Sequence, residues 1–182
     1  MHHYRERLSS QGFRMTSQRR AILQVLEESG AHLTPLEVYE HPATLFVAAF
    51  IGPPPMNFVK ATLADGGGTL KAGTFSLPVP ASLRGLTGAK DGKAVVVGIR
   101  PENVVDPQKP TRGETARLGA TVEVIEPLGH EVLVYARLGG DDVVVAKIDP
   151  HRAPAYDEKI ELVVELDALH LFDAATELRL TA

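Results

Sequence analysis

Residues 117–148 read RLGATVEVIEPLGHEVLVYARLGGDDVVVAKI, and this stretch decides the fold class. Its β-branched runs predict three strands, at 117–128, 131–138 and 142–148. The segments Leu128-Gly129-His130-Glu131 and Leu138-Gly139-Gly140-Asp141 separate these runs and are typical of hairpin turns. The stretch therefore predicts two successive β-hairpins.

Similar short runs lie on both sides of this stretch. They predict further strands at 57–63, 69–72, 74–77, 94–99 and 159–165. Many short strands at short intervals indicate a barrel or a sandwich rather than a βαβ fold. Segments 79–93 and 105–116, rich in proline, glycine and lysine, are predicted to be loops, and 169–173 and 177–180 close the chain.

The first third of the chain has a helical pattern instead. Residues 17–29 predict a helix capped by Thr16 or Ser17, and Thr34-Pro35 opens a further helical segment. Residues 43–51 predict another short apolar helix, and the run GPPP at 52–55 ends helix formation. The predicted class is mainly β with N-terminal helices (α+β), a barrel domain after a short helical segment.

Charge and composition restrict the function classes. The chain has a formal net charge of −4 and no cysteine, which excludes disulfides, thiolate catalysis and cysteine-based zinc sites. Residues 1–33 carry five Arg against three Glu, and residues 34–182 carry the remaining fourteen basic and twenty acidic residues. An acidic main body argues against nucleic-acid binding, because that affinity comes largely from phosphate neutralisation.

The motifs of common catalytic and metal sites are incomplete. Glycine-rich 66–71 and Gly92-Lys93 lack the Walker A pattern and are typical of turns. His130-Glu131 could begin a zinc-protease helix, but Val134 stands at the second histidine position. No Gly-x-Ser-x-Gly elbow occurs. We therefore predict no catalytic residue, no metal site and no cofactor.

A basic cluster near the N-terminus is the one candidate for contact with nucleic acid. Arg14, Arg19 and Arg20 lie near a predicted helix start, where they could contact phosphate. A helix-turn-helix reader also needs a recognition helix, and the sequence turns apolar and proline-rich where that helix should be. A solvated basic face is the favoured interpretation.

Five motifs carry a family resemblance. TPLEVYEHPATLFVAAFIG at 34–52 resembles the end of the nucleotide-binding domain in importer ATPases of the maltose, glycerol-3-phosphate and multiple-sugar type. PMNF at 55–58, GIRPE at 98–102, VIEPLGHEVLVY at 124–135 and LHLFD at 169–173 resemble the C-terminal domain of the same proteins. These motifs follow one another in family order.

The resemblance implies an OB-like or MOP-like β-barrel, the transport-associated OB domain. In that family the domain helps to hold two ATPase subunits together, and in some members it receives inhibitory signals from regulators. Its recurring motif positions, with structural or interface roles, are matched here by Asn57, Phe58, Arg100, Pro101, Glu102, Gly129, His130 and Glu131. The resemblance also implies a charge-assisted contact between Arg100 and Glu102.

The family's nucleotide-binding motifs belong upstream of this region, where the chain has 33 unrelated residues. LSSQGFRMTSQRRAILQVLE at 8–27 resembles the start of ferric uptake regulators. That likeness covers only the first helices of a winged helix. ATP hydrolysis, DNA binding and metal sensing therefore do not carry over.

These observations predict a regulatory or oligomerisation module without catalytic activity. Its expected segments are 1–33 (regulator-like helices), 34–52 (helical linker) and 53–182 (OB-like domain). Expected partners are a second copy, an importer ATPase subunit or a regulatory protein, with membrane contact only through a permease, in the cytoplasm. The alternatives are a metal-responsive DNA-binding fragment and an oxyanion-binding module.

Overall fold

The computed structural model describes residues 10, 12, 14, 16, 20, 23, 34–88 and 90–181. The chain divides into two compact units, residues 1–55 and 56–182.

Within the continuous described range 34–55, the first unit forms two short helices, α1 (Pro35–Glu40) and α2 (Leu45–Phe50). Thr34 and Glu37 form a reciprocal capping box, in which each side chain accepts from the backbone N–H of the other residue. Thr44 caps α2 by accepting from the Val47 N–H. The predicted helix start at Thr34-Pro35 is confirmed, and the helix predicted at 43–51 is shorter than expected.

The helix predicted at 17–29 lies largely outside the described residues. The Arg20 N–H donates to the Thr16 carbonyl at 3.0 Å, which is the spacing of a helical hydrogen bond. Leu23 is buried. Residues 20 and 23 are helical, and the rest of this helix stays a prediction.

The described residues of the second unit, 56–88 and 90–181, form ten strands in two antiparallel sheets. The first sheet has the order β10-β4-β1-β2-β3. Its strands, in chain order, are β1 (Asn57–Ala64), β2 (Thr69–Ala72), β3 (Phe75–Pro78), β4 (Ala94–Ile99) and β10 (His170–Asp173).

The second sheet has the order β5-β9-β6-β7-β8. Its strands are β5 (Val104–Val105), β6 (Thr115–Pro127), β7 (Val132–Arg137), β8 (Val143–Ile148) and β9 (Lys159–Glu165). A register shift between Val122 and Val124 marks a bulge in β6.

One aliphatic core lies between the inner faces of the two sheets. Leu63 and Leu70 from the first sheet and Val134 and Leu162 from the second are among its fully buried members. Inward and outward residues alternate along β1 and β8, as a half-buried strand requires. The result is the predicted mainly β architecture, a nearly closed OB-like barrel.

Two predicted loops contain regular structure. Segment 79–93 holds a 3-10 turn (Ala81–Leu83) and a four-residue helix α3 (Arg84–Thr87), stabilised where the buried Thr87 hydroxyl donates to the Gly67 carbonyl. Segment 105–116 contributes Val105 to β5, which pairs with β9. Tertiary contacts stabilise the regular structure in both segments, and no periodic sequence pattern predicts it.

A carboxylate fastens the end of β10. Asp173 accepts the N–H groups of Ala175 and Thr176, and the Lys93 ammonium lies 2.7 Å from its Oδ2 atom. The lysine and these two N–H groups hold the pKa of Asp173 well below its ordinary value.

This lowered pKa predicts an acid-dependent loss of stability. The unfolded chain binds a proton at Asp173 at higher pH than the folded chain does, so the stabilisation is complete above the ordinary carboxyl pKa and fades as the pH falls through it. The free-energy difference between wild type and Asp173→Asn, from urea unfolding, should therefore be largest at pH 7 and smaller at pH 3. The exposed Asp141→Asn removes one carboxylate elsewhere and is the control for the loss of a negative charge. A constant difference for Asp173→Asn would contradict the assignment.

Candidate charged grooves at one face of the barrel

Three of the residues predicted from motifs line one groove. Glu102, His130 and Glu131 lie around an open groove of about 340 Å³. Glu102 belongs to the 3-10 turn Pro101–Asn103. His130 and Glu131 belong to the turn between β6 and β7. The remaining lining residues are Lys109, Lys147, Ile148, Asp149 and Arg152.

The basic side chains of this groove lie close to oxygen atoms of the protein. The Lys147 Nζ atom lies 3.2 Å from Glu131 Oε1, and the exposed His130 Nε2 lies 3.9 Å from the same oxygen. Lys109 Nζ donates to the Glu102 carbonyl at 3.4 Å. An anionic ligand would have to compete with these carboxylate and carbonyl partners. The groove is therefore poorly suited to oxyanion capture.

A second groove of about 430 Å³ adjoins the first, and Ile148 and Arg152 line both. Arg152 Nη1 lies 3.2 Å from Oδ1 of Asp106, which also accepts the Gln108 N–H at 3.0 Å. Asp106 is only 8% exposed. Its Oδ2 atom is buried and has no hydrogen bond within the part of the chain that the structure describes. Arg152 thus neutralises a buried carboxylate at the junction of the two grooves.

Asn57, another motif residue, joins the two sheets. Its Nδ2 atom donates to the Val145 carbonyl at 2.9 Å, and its Oδ1 atom accepts the Val145 N–H at 2.8 Å. Asn57 begins β1, whereas Val145 lies in the middle of β8, the last strand of the second sheet. This paired contact fastens one sheet to the edge of the other.

The other motif residues lie outside the lining of the 340 Å³ groove. The Phe58 ring packs edge-on against Phe172, with centroids 6.1 Å apart and an interplanar angle of 75°. Arg100 and Pro101 are buried, and Pro101 starts the turn that carries Glu102. The expected contact between Arg100 and Glu102 stays a prediction.

Gly129 sets the geometry of the β6–β7 turn. Its φ of +87° is in the left-handed region that favours glycine, and the Leu128 N–H donates to the Glu131 carbonyl at 2.9 Å. The predicted turn is confirmed. It places His130 and Glu131 at the rim of the groove.

The N-terminal basic cluster is described only in part. Arg14 and Arg20 are exposed, and Arg19 lies outside the described residues. Contact of these arginines with phosphate stays a prediction.

The described ranges lack two kinds of feature. No group of three or more His, Cys, Asp or Glu side chains placed to hold a metal ion occurs in them. Nor does any helix among them have the length and apolar content needed to cross a membrane.

Sequence reasoning missed the groove residues after β7. Lys147 interrupts the β-branched run 143–148 at an outward position, which was the one available signal of a charged surface there. Asp106 and Arg152 are far apart in sequence, and no pattern predicts their ion pair.

Two family models match consecutive parts of the barrel. The MalK OB fold domain matches residues 52–104, and the TOBE domain matches residues 97–172. Together the two matches span residues 52–172, so this part of the chain is similar to MalK-type OB and TOBE domains. The OB/TOBE module is the transport-associated domain that the motifs indicated, so that resemblance is confirmed. The likeness of residues 1–33 to ferric uptake regulators stays a prediction.

The relatives are ATP-binding subunits of importers. The sulfoquinovosyl glycerol transport ATP-binding protein SmoE of Agrobacterium fabrum is 38% identical over 144 residues, which are 79% of this chain and 38% of SmoE. The sn-glycerol-3-phosphate import ATP-binding protein UgpC of Chromohalobacter salexigens is 38% identical over 152 residues (80% and 39%). The oligosaccharides import ATP-binding protein MsmX of Bacillus subtilis is 34% identical over 150 residues (81% and 40%). The chain thus spans about two fifths of each relative's length.

Solved structures also resemble this chain. The cytoplasmic molybdate-binding protein ModG matches with a TM-score of 0.49 and 19% identity, over 63% of this chain and 94% of ModG. The fold assignment rests on the two sheets and the two family models.

Proposed function

We propose that this chain is a regulatory or oligomerisation module without catalytic activity that acts through protein–protein contacts. Two findings support the proposal: the OB/TOBE match over residues 52–172 and relatives that are ATP-binding subunits of importers. We further propose that residues 1–33 and 34–52 are helical segments that precede the module, 53–182.

An apolar strip on the outward face of the second sheet carries the proposal. Val124 on β6 pairs with Tyr135 on β7, which pairs with Val145 on β8. Val124 is 53% exposed, and Val143, on the same face of β8, is 41% exposed. Exposed apolar side chains that lie close together mark contact surfaces.

An ion pair and a hydrogen bond lie beside this strip. Arg137 pairs with Glu123, and the Tyr135 hydroxyl donates to Glu126 Oε2 at 3.2 Å. Burial and the adjacent Glu126 carboxylate raise the pKa of Tyr135. An apolar centre with a polar border resembles the usual composition of a protein interface.

The proposed partners are a second copy of this chain, an importer ATPase subunit or a regulatory protein. Membrane association is proposed to be indirect, through a permease, and the proposed location is the cytoplasm. The relatives' role as ATP-binding subunits of importers supports these assignments.

Sedimentation velocity of the full chain tests the contact surface. We expect a concentration-dependent increase in sedimentation coefficient between about 1 and 100 µM, since modest interfaces have dissociation constants in this range. Val124→Glu places a charge in the strip and should weaken association at least tenfold. Ser76→Glu adds the same charge at an exposed position of β3 and should leave it unchanged.

The heterologous arm uses purified UgpC of Chromohalobacter salexigens, with retention of the chain on immobilised subunit as the readout. Retention that Val124→Glu abolishes and Ser76→Glu preserves would support contact with an ATPase subunit. A chain that stays monomeric at 100 µM and is not retained would contradict the proposed surface.

A further inference from the structure

The most exposed large hydrophobic side chain of the described residues lies beside the 430 Å³ groove. Tyr156 is 75% exposed and lies between Pro154 and Glu158, which both line that groove. An exposed aromatic ring forgoes the stabilisation that burial of its apolar surface would give. Its exposure on an ordered loop therefore suggests a binding role. Tyrosine is also enriched among the residues that dominate binding energy.

The loop that presents Tyr156 is fixed on both sides. The Ala155 N–H donates to Glu158 Oε2 at 2.6 Å, and the Asp157 N–H donates to the Val122 carbonyl at 3.0 Å. The Val122 N–H in turn donates to the Glu158 carbonyl at 2.9 Å. These bonds attach the loop to β6. Binding of a partner to Tyr156 would therefore cost little backbone conformational entropy in this loop.

The surroundings of Tyr156 are acidic. The groove and its loop carry five carboxylates, on Asp106, Asp149, Asp157, Glu158 and Glu161. The cations there are Arg152, Lys159 and Arg117. Arg152 is held by Asp106 and Asp149, and Arg117 pairs with Glu161. Five carboxylates against three cations leave a local net charge of −2, which favours a positively charged partner.

We propose that Tyr156 and the 430 Å³ groove bind a basic segment of a partner protein, with an arginine guanidinium stacked on the Tyr156 ring and paired with Glu158. Arginine suits this site because its planar cation stacks on aromatic rings and pairs with carboxylates at the same time. This inference rests on the proposed function, contact between proteins, and assigns it a second surface away from the Val124 strip.

Amide NMR titration of the full 15N-labelled chain tests the proposal. The probe is a seven-residue peptide with two arginines among glycine and serine, and the matched probe carries citrulline, which is uncharged, in place of arginine. We expect shift changes centred on 149–161 with the arginine peptide and a loss of binding of at least tenfold with citrulline.

The variants separate the ring from the charge. Tyr156→Ala should weaken binding about tenfold, the usual loss for a central aromatic contact. Glu158→Gln keeps an acceptor for the Ala155 N–H and should weaken binding by a smaller factor, with reduced salt dependence. Leu178→Ala removes another exposed apolar side chain, on a different segment, and should change binding less than twofold.

Three results would overturn the proposal: shift changes that map elsewhere, equal binding of the citrulline peptide, or unchanged binding by Tyr156→Ala. Val124→Glu distinguishes this failure from failure of the proposed function. If that variant no longer associates but still binds the arginine peptide, the two surfaces are independent. If the wild-type chain binds the arginine peptide but does not associate with itself or with the ATPase subunit, the contact proposed for the Val124 strip is contradicted. The binding site proposed at Tyr156 is then still supported.

Discussion

Replacement of Asn57 by alanine should lower the free energy of unfolding by about 2–6 kcal/mol, because each of two part-buried backbone groups loses its partner at a cost of about 1–3 kcal/mol. The Asn57 side chain is the partner of both the N–H and the carbonyl of Val145. Asn57 itself is only 6% exposed. Urea unfolding followed by circular dichroism measures the change.

Two further variants identify the cause. Asn57→Asp keeps the acceptor for the Val145 N–H but loses the donor to the Val145 carbonyl and adds a charge, so it should also be strongly destabilising. Asn103→Ala makes the same chemical change at a half-buried position of a 3-10 turn and should cost less than about 1 kcal/mol, as substitutions away from such contacts do. Equal effects of Asn57→Ala and Asn103→Ala would show that the paired contact contributes nothing.

Gly67→Ala should be similarly damaging, with an expected loss of about 3–5 kcal/mol from steric overlap and backbone strain together. A Cβ atom at Gly67 would lie 2.0 Å from the Thr87 backbone carbonyl oxygen, and Gly67 has a φ of +82°. Backbone cannot rotate away as a side chain can, so the turn and α3 would have to separate. Thermal and urea unfolding measure the loss.

Gly66 supplies a matched control in the same turn. Its φ is +70°, but a Cβ atom there meets nothing within 4 Å. Gly66→Ala therefore reports backbone strain alone and should cost about 1–2 kcal/mol. Should Gly67→Ala cost no more than Gly66→Ala, the contact between the turn and α3 would be loose and the expected overlap absent.

The strands could be predicted because their side chains alternate. Along β1 every second residue from Asn57 to Leu63 is buried, and runs of this kind predicted strands at nearly the observed bounds. β5 was missed because two residues are too few to show a period. α3 was missed because its sequence RGLT has low helix propensity and is held by the contact of Thr87 with Gly67.

The grooves were predictable only in part. Motif resemblance pointed to Glu102, His130 and Glu131, and the fold brings these three together. The second groove forms where the segment after β5, the segment after β8 and the start of β9 meet. The pairing of Asp106 with Arg152 is one such contact, and sequence spacing carries no information about it.

The contact of Asn57 with Val145 also affects how copies of this barrel can meet. β8 ends its sheet, and the exposed edge of such a strand normally offers unpaired backbone groups to strands of other molecules. A carboxamide has the donor and acceptor of a peptide group, so Asn57 occupies the middle of this edge in place of a neighbouring strand. The N–H and carbonyl of Val145 are therefore already bonded and are not free to pair with a strand of another molecule. The edge is thereby protected against amyloid-like stacking.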